Sequence, residues 1–174
     1  MAFLIQAIGA IGYITLALSY FKEEKNKILF MQIISYIFFT IHYYLLSGIT
    51  GAICNLIGLF ALVTIYIFDK YKLKNKYIVS MLFVAVLLII NLLTFQNVFS
   101  IFPMLASVIV IVSFIDDREN VIRWIGVIAA ICWLFYAIAY KSYVAIVFEV
   151  LTLLNVCVSL IKNKKKVDNA SNIC

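Results

Sequence analysis

Seven continuous apolar runs, each about 18–20 residues long, constrain this chain more than any other feature. They cover approximately residues 3–21, 28–46, 49–68, 77–94, 98–115, 121–140 and 143–161. A run of this length crosses the hydrocarbon core of a bilayer as a helix, whereas a barrel strand alternates apolar and polar residues over about 10 positions. The runs therefore predict an all-α integral membrane protein with seven transmembrane helices.

The composition excludes a soluble domain and offers no chemistry for a cofactor. Hydrophobic residues make up 66% of the 174, and charged residues only 13%, whereas globular domains are about half apolar. The four cysteines are not spaced as metal ligands, and with a single histidine the sequence contains no recognisable set of catalytic residues. We therefore expect no enzyme, no metal and no cofactor.

The charged residues predict which side of the membrane each loop occupies. Four segments, namely 22–27, 69–76, 116–123 and the C-terminal tail, carry all but one of the 14 lysines and arginines. In a seven-helix chain these segments share one side, and the other side carries only Lys141. Cytoplasmic loops are enriched in basic residues, so the N-terminus is expected outside and the C-terminus inside. Basic segments at the surface of the lipid bilayer account for the net charge of +6. We therefore expect no nucleic-acid partner.

An internal repeat is visible when the chain is shifted by 94 residues. SYFKEEKNKI then lies on SFIDDRENVI, with Ser19 on Ser113 and Asn26 on Asn120. A single linker helix between two groups of three helices gives both groups the same orientation in the membrane, which is a parallel repeat. The predicted organisation is a three-helix repeat over 1–69, a cytoplasmic loop with linker helix over 70–96, a second three-helix repeat over 97–162, and a basic cytoplasmic tail over 163–174.

Polar side chains recur on one face of the helices in both repeats. They include Gln6, Gly9 and Tyr13 in the first helix, Gln32, Ser35, His42 and Tyr43 in the second, and Glu149, Thr152, Asn155 and Ser159 in the seventh. In lipid such residues turn toward the bundle interior. Each one taken alone is explained by hydrogen bonding between helices, at about 0.6 kcal/mol. Stripes that converge from several helices predict a polar cavity.

Two segments resemble transporters of the sugar-efflux SWEET class. TGAICNLIGLFALVTIYIF resembles their third helix, with Asn55 at a substrate-contacting asparagine and Gly58 three residues on. CWLFYAIAYKSYVAIVFEV resembles a later stretch, with Trp133 and Tyr136 matching and Glu149 in place of the second asparagine. The resemblance implies a 3+1+3 helix arrangement and transport by alternating access.

Over about residues 5–162 the chain also resembles the YgjV-type bacterial inner-membrane proteins, related to the SWEET, PQ-loop and PnuC groups. This implies the fold and the bacterial inner membrane. The chain departs from the pattern because it has no Pro-Gln pair and only one proline, Pro103. Pro103 and its repeat mate Gly9 are the expected hinge positions, since both residue types favour helix bends.

The repeat offset pairs Phe39 with Trp133 and Asn55 with Glu149, and the helical rise puts all four at a similar depth, roughly 10 Å from the outer surface. Aromatic faces stack ligands or attract cations, and an amide fixes orientation through hydrogen bonds. A carboxyl group at mid-membrane is a functional candidate because of its cost, about 2.5–3.5 kcal/mol. The predicted residues are Asn55, Glu149, Trp133, Phe39 and Tyr136 for substrate binding, Glu149 and His42 for proton coupling, and Gly58 and Gly51 for helix packing.

The predicted function is transport of a small polar solute by alternating access, with a central site between the repeats. A sugar, a vitamin, a nucleoside and an amine all stay open as substrates, although Glu149 favours a cation or proton coupling. The alternative is a membrane assembly or sensor protein that retains the fold without transport. The oligomeric state is left open.

Overall fold

The protein is seen here in a computed structural model that describes residues 2–95, 97–139 and 143–171. Within these ranges it consists of seven α-helices, one 3₁₀ turn and no strand. The helices are α1 (Ala2–Ser19), α2 (Lys25–Leu45), α3 (Ile49–Lys70), α4 (Lys76–Leu93), α5 (Ile101–Ser113), α6 (Glu119–Ala139) and α7 (Tyr143–Ser171), with the 3₁₀ turn at Val98–Ser100. The all-α prediction is confirmed. The predicted breaks at Gln96 and Lys141–Ser142 lie outside the described residues.

The helix boundaries differ from the apolar runs where polar residues continue a helix. α7 reaches Ser171, beyond the apolar run that ends at 161, because lysine is a good helix former in water. The run at 98–115 starts as the 3₁₀ turn, where the Asn97 side chain accepts a hydrogen bond from the Phe99 amide at 3.0 Å. Hydrophobicity therefore locates each helix, and capping and solvation set its ends.

The outer surface of the helices is apolar, as a lipid-facing surface must be. In the described part of the chain, four helices are long and apolar enough to cross a membrane, and three more apolar helices are shorter. Large side chains such as Phe60, Leu82, Ile128 and Leu154 are more than half exposed. The structure is that of a membrane protein with several apolar helices.

Six of the helices form a closed ring. Around the ring each helix contacts the next in the order α1, α2, α3, α5, α6 and α7, and α7 contacts α1. α4 lies outside the ring, against α3 and α5. Only 17% of its most apolar 18-residue stretch is buried, compared with 50% for the corresponding stretch of α3. Asn91 of α4 ties it to the ring, since the Cys54 thiol of α3 donates to its side-chain oxygen at 3.3 Å.

The ring has an apolar plug near one end. Six buried side chains from both halves of the chain form it, namely Ile28, Leu29, Leu62, Ile65, Phe114 and Ile122. Ile28 and Ile122 are separated by the 94-residue offset. This plug lies at the end of the ring that carries the charged loops.

A network of four charged side chains crosses that same end. Asp69 at the end of α3 contacts the ammonium groups of Lys25 and Lys76 at 2.7 and 3.1 Å. Asp117, in the loop before α6, contacts the same two lysines at 3.0 and 2.7 Å. The network joins α2, α3 and α4 to the α5–α6 loop.

A buried arginine makes a second connection at this end. Arg123 of α6 donates to the backbone carbonyls of Tyr20 and Lys22 at 3.2 and 2.5 Å. These carbonyls lie in the loop after α1, where the backbone has no helical hydrogen bonds to use its acceptors. The guanidinium satisfies two acceptors on the first half of the chain from a helix of the second half.

We predict that Asp69 contributes more stability than Asp117, although both bind the same lysines. Asp69→Asn leaves two partly buried ammonium groups under-neutralised, at a cost of about 1–3 kcal/mol. Asp117→Asn costs less than about 1 kcal/mol, because its side chain is 79% exposed and water screens such pairs. Thermal unfolding of the detergent-purified variants measures both; equal losses would contradict this order.

The contribution of Asp117 is expected to depend on pH in a stated direction. The pKa of its carboxyl lies below the usual range, because Lys76 and Lys25 donate hydrogen bonds to the charged form. A depressed pKa gives stability that is complete above about pH 5 and is lost as the pH falls below about 4. The difference in melting temperature between the wild type and Asp117→Asn should therefore shrink below about pH 4.

Glycines allow two tyrosine rings to sit directly against neighbouring helices. A Cβ atom built on Gly58 of α3 would lie 2.5 Å from a ring carbon of Tyr36, and one on Gly126 of α6 would lie 2.5 Å from the Tyr20 hydroxyl. A Cβ on Gly51 would lie 3.2 Å from the Tyr43 ring, which is tight but not prohibitive.

We predict that Gly58→Ala destabilises the protein and Gly48→Ala does not. The Tyr36 ring would have to move to admit the methyl group, and overpacking costs about 1–3 kcal/mol, more than the gain in helix propensity. Gly48 is a matched control, because its nearest Cβ contact would be 3.4 Å and its φ is −81°. Thermal unfolding in detergent compares them, and an unchanged Gly58→Ala would contradict the close packing.

Candidate functional site

The ring encloses a central cavity of about 60 Å³. Residues from both halves of the chain surround it, and most are buried. The lining residues are Tyr13, Leu16, Tyr20, Gln32, Tyr36, Phe39, Tyr43, Asn55, Val110, Gly126, Ala129, Ala130, Trp133, Glu149 and Thr152. By volume the cavity has room for about four waters, or a ligand with a similar number of non-hydrogen atoms.

Glu149 projects from α7 into this cavity and is 5% exposed. Its Oε1 accepts a hydrogen bond from the Tyr13 hydroxyl of α1 at 3.0 Å. Tyr13 is held in place by stacking on Phe148, with ring centroids 4.9 Å apart, and by an edge contact with Phe39 at 4.6 Å. The bond joins the first and last helices of the ring across the junction where the ring closes.

Two amide side chains face the same cavity and differ in how they are bonded. Asn55 donates from Nδ2 to the carbonyl of Gly51 on its own helix at 2.9 Å, which orients the amide and directs its oxygen away from that bond. Gln32 of α2 is 3% exposed, and its Oε1 has no hydrogen-bond partner within the described part of the chain. A buried polar atom without a partner is costly, so Gln32 indicates a place for a polar ligand or water.

Aromatic rings form the walls and close one end. Trp133 of α6 stacks on Tyr43 of α2, with centroids 5.4 Å apart, and meets Tyr136 edge-on at 5.9 Å. Tyr43 also contacts Tyr136 at 6.3 Å. These three rings span the ring of helices between its two halves, at the end opposite to the charged network.

Four of the five predicted substrate-binding residues line the cavity, and one does not. Phe39, Asn55, Trp133 and Glu149 are among the lining residues. Tyr136 lies behind them in the aromatic cluster with Tyr43 and Trp133. The binding role of each one stays a prediction.

His42, predicted for proton coupling, lies outside the cavity lining. Its Nδ1 donates to the carbonyl of Ile5 at 2.9 Å, which connects α2 to α1. Its ring meets Tyr43 edge-on, with centroids 5.3 Å apart, so Tyr43 separates it from the cavity.

The two predicted hinge residues occupy different local environments. Gly9 is a close-contact site, since a Cβ there would lie 2.7 Å from the His42 ring. Pro103 is the third residue of α5, directly after the 3₁₀ turn, where a missing N–H removes little. Neither position interrupts a helix in this conformation, and the hinge role stays a prediction.

Sequence reasoning missed several residues that shape the site. Tyr20 and Tyr36 line the cavity although neither belongs to a polar stripe, and Tyr13 was only one member of such a stripe. Tyr20 and Tyr36 each lie against a glycine of another helix, Gly126 and Gly58 respectively. The sequence does not reveal which ring meets which glycine. Arg123 is 2% exposed and binds backbone carbonyls, a role that charge patterning does not predict.

The electrostatics of the cavity are one-sided. Among its lining residues, all in the described part of the chain, Glu149 is the one carboxyl group, and lysine, arginine and histidine are absent. No group of three or more His, Cys, Asp and Glu that could hold a metal ion occurs in the described residues. The arrangement can bind a polar solute, hold a cation against the carboxylate, or exchange a proton at Glu149.

Comparison with known proteins identifies the family. No curated protein matches the chain, and no solved structure does either. A family model described as bacterial inner membrane protein, YgjV type, matches residues 3–166, which is nearly the whole chain. An apolar all-helical bundle is the fold expected of such a protein. The chain therefore belongs to the YgjV family of bacterial inner-membrane proteins.

Proposed function

We propose that the protein is a transporter that moves a small polar solute across the bacterial inner membrane by alternating access. The observation that carries the proposal is a buried carboxyl group, Glu149, in a cavity enclosed between the two halves of one membrane-embedded chain. A group that costs several kcal/mol in lipid is expected to mark a substrate or ion pathway.

The proposal includes two parallel three-helix repeats, α1–α3 and α5–α7, with α4 as linker. The ring supports it, because exchanging α1–α3 with α5–α7 turns the α3–α5 junction into the α7–α1 junction, and the helices are in contact at both. Five pairs of cavity residues also differ by 94 in number, namely Leu16 and Val110, Gln32 and Gly126, Tyr36 and Ala130, Phe39 and Trp133, and Asn55 and Glu149. Substrate sites at a repeat interface are typical of transporters. The resemblance to the SWEET class agrees with this arrangement.

Alternating access needs a closure on each side of the site that can open in turn. The Tyr43, Trp133 and Tyr136 rings are the proposed outer closure. The apolar plug, the Arg123 contacts and the four-residue ion-pair network are the proposed inner closure. Each set connects the two halves, so rocking one half against the other would break one set while the opposite set stays formed.

Glu149 is the proposed coupling residue. Its carboxyl can lose a proton when a substrate or water supplies a better partner and regain it when the site empties, and Tyr13 holds it in position for both states. His42 is proposed to assist at the outer end, where Tyr43 lies between its ring and the cavity.

The alternative is a membrane assembly or sensor protein that uses the same fold without transport. The buried glycine–tyrosine contacts and the exposed apolar surface suit it equally well. An assembly role does not account for the cavity or for the unpaired Gln32 oxygen within it, and a sensing role does not require a closure at each end of the site, so we prefer transport. The substrate is a small molecule in either a transport or a sensing role, and no enzymatic activity is proposed.

We predict that the C-terminus is cytoplasmic and the N-terminus is outside. The reason is the concentration of lysine and arginine in segments that share one side of a seven-span chain. A C-terminal green fluorescent protein fusion should fluoresce, and a C-terminal alkaline phosphatase fusion should be inactive, with the reverse at the N-terminus. Active phosphatase at the C-terminus would contradict the orientation.

We predict that Glu149→Gln and Asn55→Ala each lower transport by at least tenfold, because both remove a group that faces the cavity. Purified protein in liposomes would be tested for exchange of labelled sugars, nucleosides, B-vitamins and small amines.

Two matched substitutions control this experiment. Glu24→Gln changes an exposed carboxyl that pairs with Lys27, and Asn91→Ala changes a buried asparagine that faces α3 from outside the ring. Both should keep the transport activity. Unimpaired exchange by Glu149→Gln would contradict the role of the carboxyl, and no exchange of any solute by the wild type would favour the assembly alternative.

A further inference from the structure

We infer that the cavity binds a small organic cation, of the size and chemistry of guanidinium or methylammonium. This inference rests on the proposed function and names the class of its substrate. Four features of the cavity lead to it: its charge, its walls, its unpaired amide and its volume.

The charge of the cavity favours a cationic ligand. Glu149 faces it with no lysine, arginine or histidine among the other lining residues of the described chain. Its one hydrogen-bond partner in that part of the chain is the Tyr13 hydroxyl, which is neutral. A carboxylate in an apolar interior needs a counter-charge or a proton, and a cationic ligand would supply the counter-charge.

The walls favour a cation over a neutral solute as well. Phe39, Trp133 and Tyr43 are joined at the cavity by Tyr20 and Tyr36. The negative face of an aromatic ring attracts a cation within about 6 Å, with tryptophan the strongest. The tyrosine hydroxyls can hydrogen-bond a neutral solute as well, so the preference for a cation comes from the ring faces and from Glu149.

The unpaired Gln32 oxygen favours a ligand that is polar at a second point besides its contact with Glu149. Gln32 Oε1 is buried without a partner in the described chain, and Asn55 presents a second amide that is already oriented by Gly51. An amide can turn either its oxygen or its nitrogen toward a ligand, so the amides establish polarity and Glu149 determines its sign. A cation with several N–H donors could reach the carboxylate and an amide oxygen together.

The volume limits the size of this cation. A cavity of about 60 Å³ holds about four non-hydrogen atoms by comparison with water. Guanidinium has four such atoms, and its flat shape suits a space between aromatic rings.

Guanidinium and urea provide a matched pair for the test, since they share shape and size and differ in charge. Detergent-purified full-length protein would be titrated with each at millimolar concentration and constant ionic strength, by calorimetry and thermal shift. We expect guanidinium to bind and raise the melting temperature, methylammonium to compete with it, and urea to do neither. Equal binding of urea and guanidinium would overturn the inference.

Two substitutions locate the binding. Glu149→Gln should weaken guanidinium binding at least tenfold, while Glu24→Gln should leave it unchanged. Trp133→Leu should weaken it severalfold with Glu149 intact, which keeps the test valid if one variant folds poorly. Guanidinium binding that is unchanged in Glu149→Gln would place the ligand elsewhere and overturn the inference.

The inference and the proposed function fail in different ways. Exchange of a neutral solute by the wild type in liposomes, without binding of guanidinium or methylammonium, would refute the cation site and leave transport standing. Glu149-dependent binding of guanidinium without movement of any solute would support the cation site and refute transport. Absence of both would refute both.

Discussion

A chain that is two-thirds apolar has to place its few polar side chains inside, and the rest of this structure follows from that constraint. Lipid offers no hydrogen-bond partner to the backbone, so each segment forms a helix in which its own N–H and C=O groups bond to one another. The outside of the bundle then carries side chains such as Phe60 and Leu154, while Gln32, Asn55 and Glu149 are buried within it. The polar cavity results from the same partition that excludes polar groups from lipid.

The contacts between the two halves are of different physical kinds at different depths. Aromatic stacking dominates at one end, the hydrogen bond from the Tyr13 hydroxyl to the Glu149 carboxyl lies at the cavity, and Lys25 meets Asp117 at the other end. In the charged layer Asp117 is exposed to water, which weakens its ion pairs, whereas Lys25 and Asp69 are largely shielded from it. Stacked rings can slide without leaving unpaired polar atoms.

The polar residues of the cavity lower the stability of the folded protein. Glu149 has one hydrogen bond from the described chain to offset its burial, and Gln32 has an unpaired oxygen. A protein optimised for stability alone would replace both with apolar residues of similar volume. Their presence beside several aromatic faces gives the cation inference its physical basis.

The sequence by itself determined the helices, and the 94-residue offset predicted a common depth for Phe39, Asn55, Trp133 and Glu149, which all line the cavity. Hydrophobic runs report which segments enter lipid because that partition is local to each segment. The tertiary structure decided what sequence could not. It placed Tyr136 in the aromatic cluster outside the cavity lining, paired Tyr13 with Glu149 over 136 positions, and buried Arg123 against carbonyls of the α1–α2 loop. Those outcomes depend on how helices rotate and which ring meets which glycine, and packing across the whole bundle sets both.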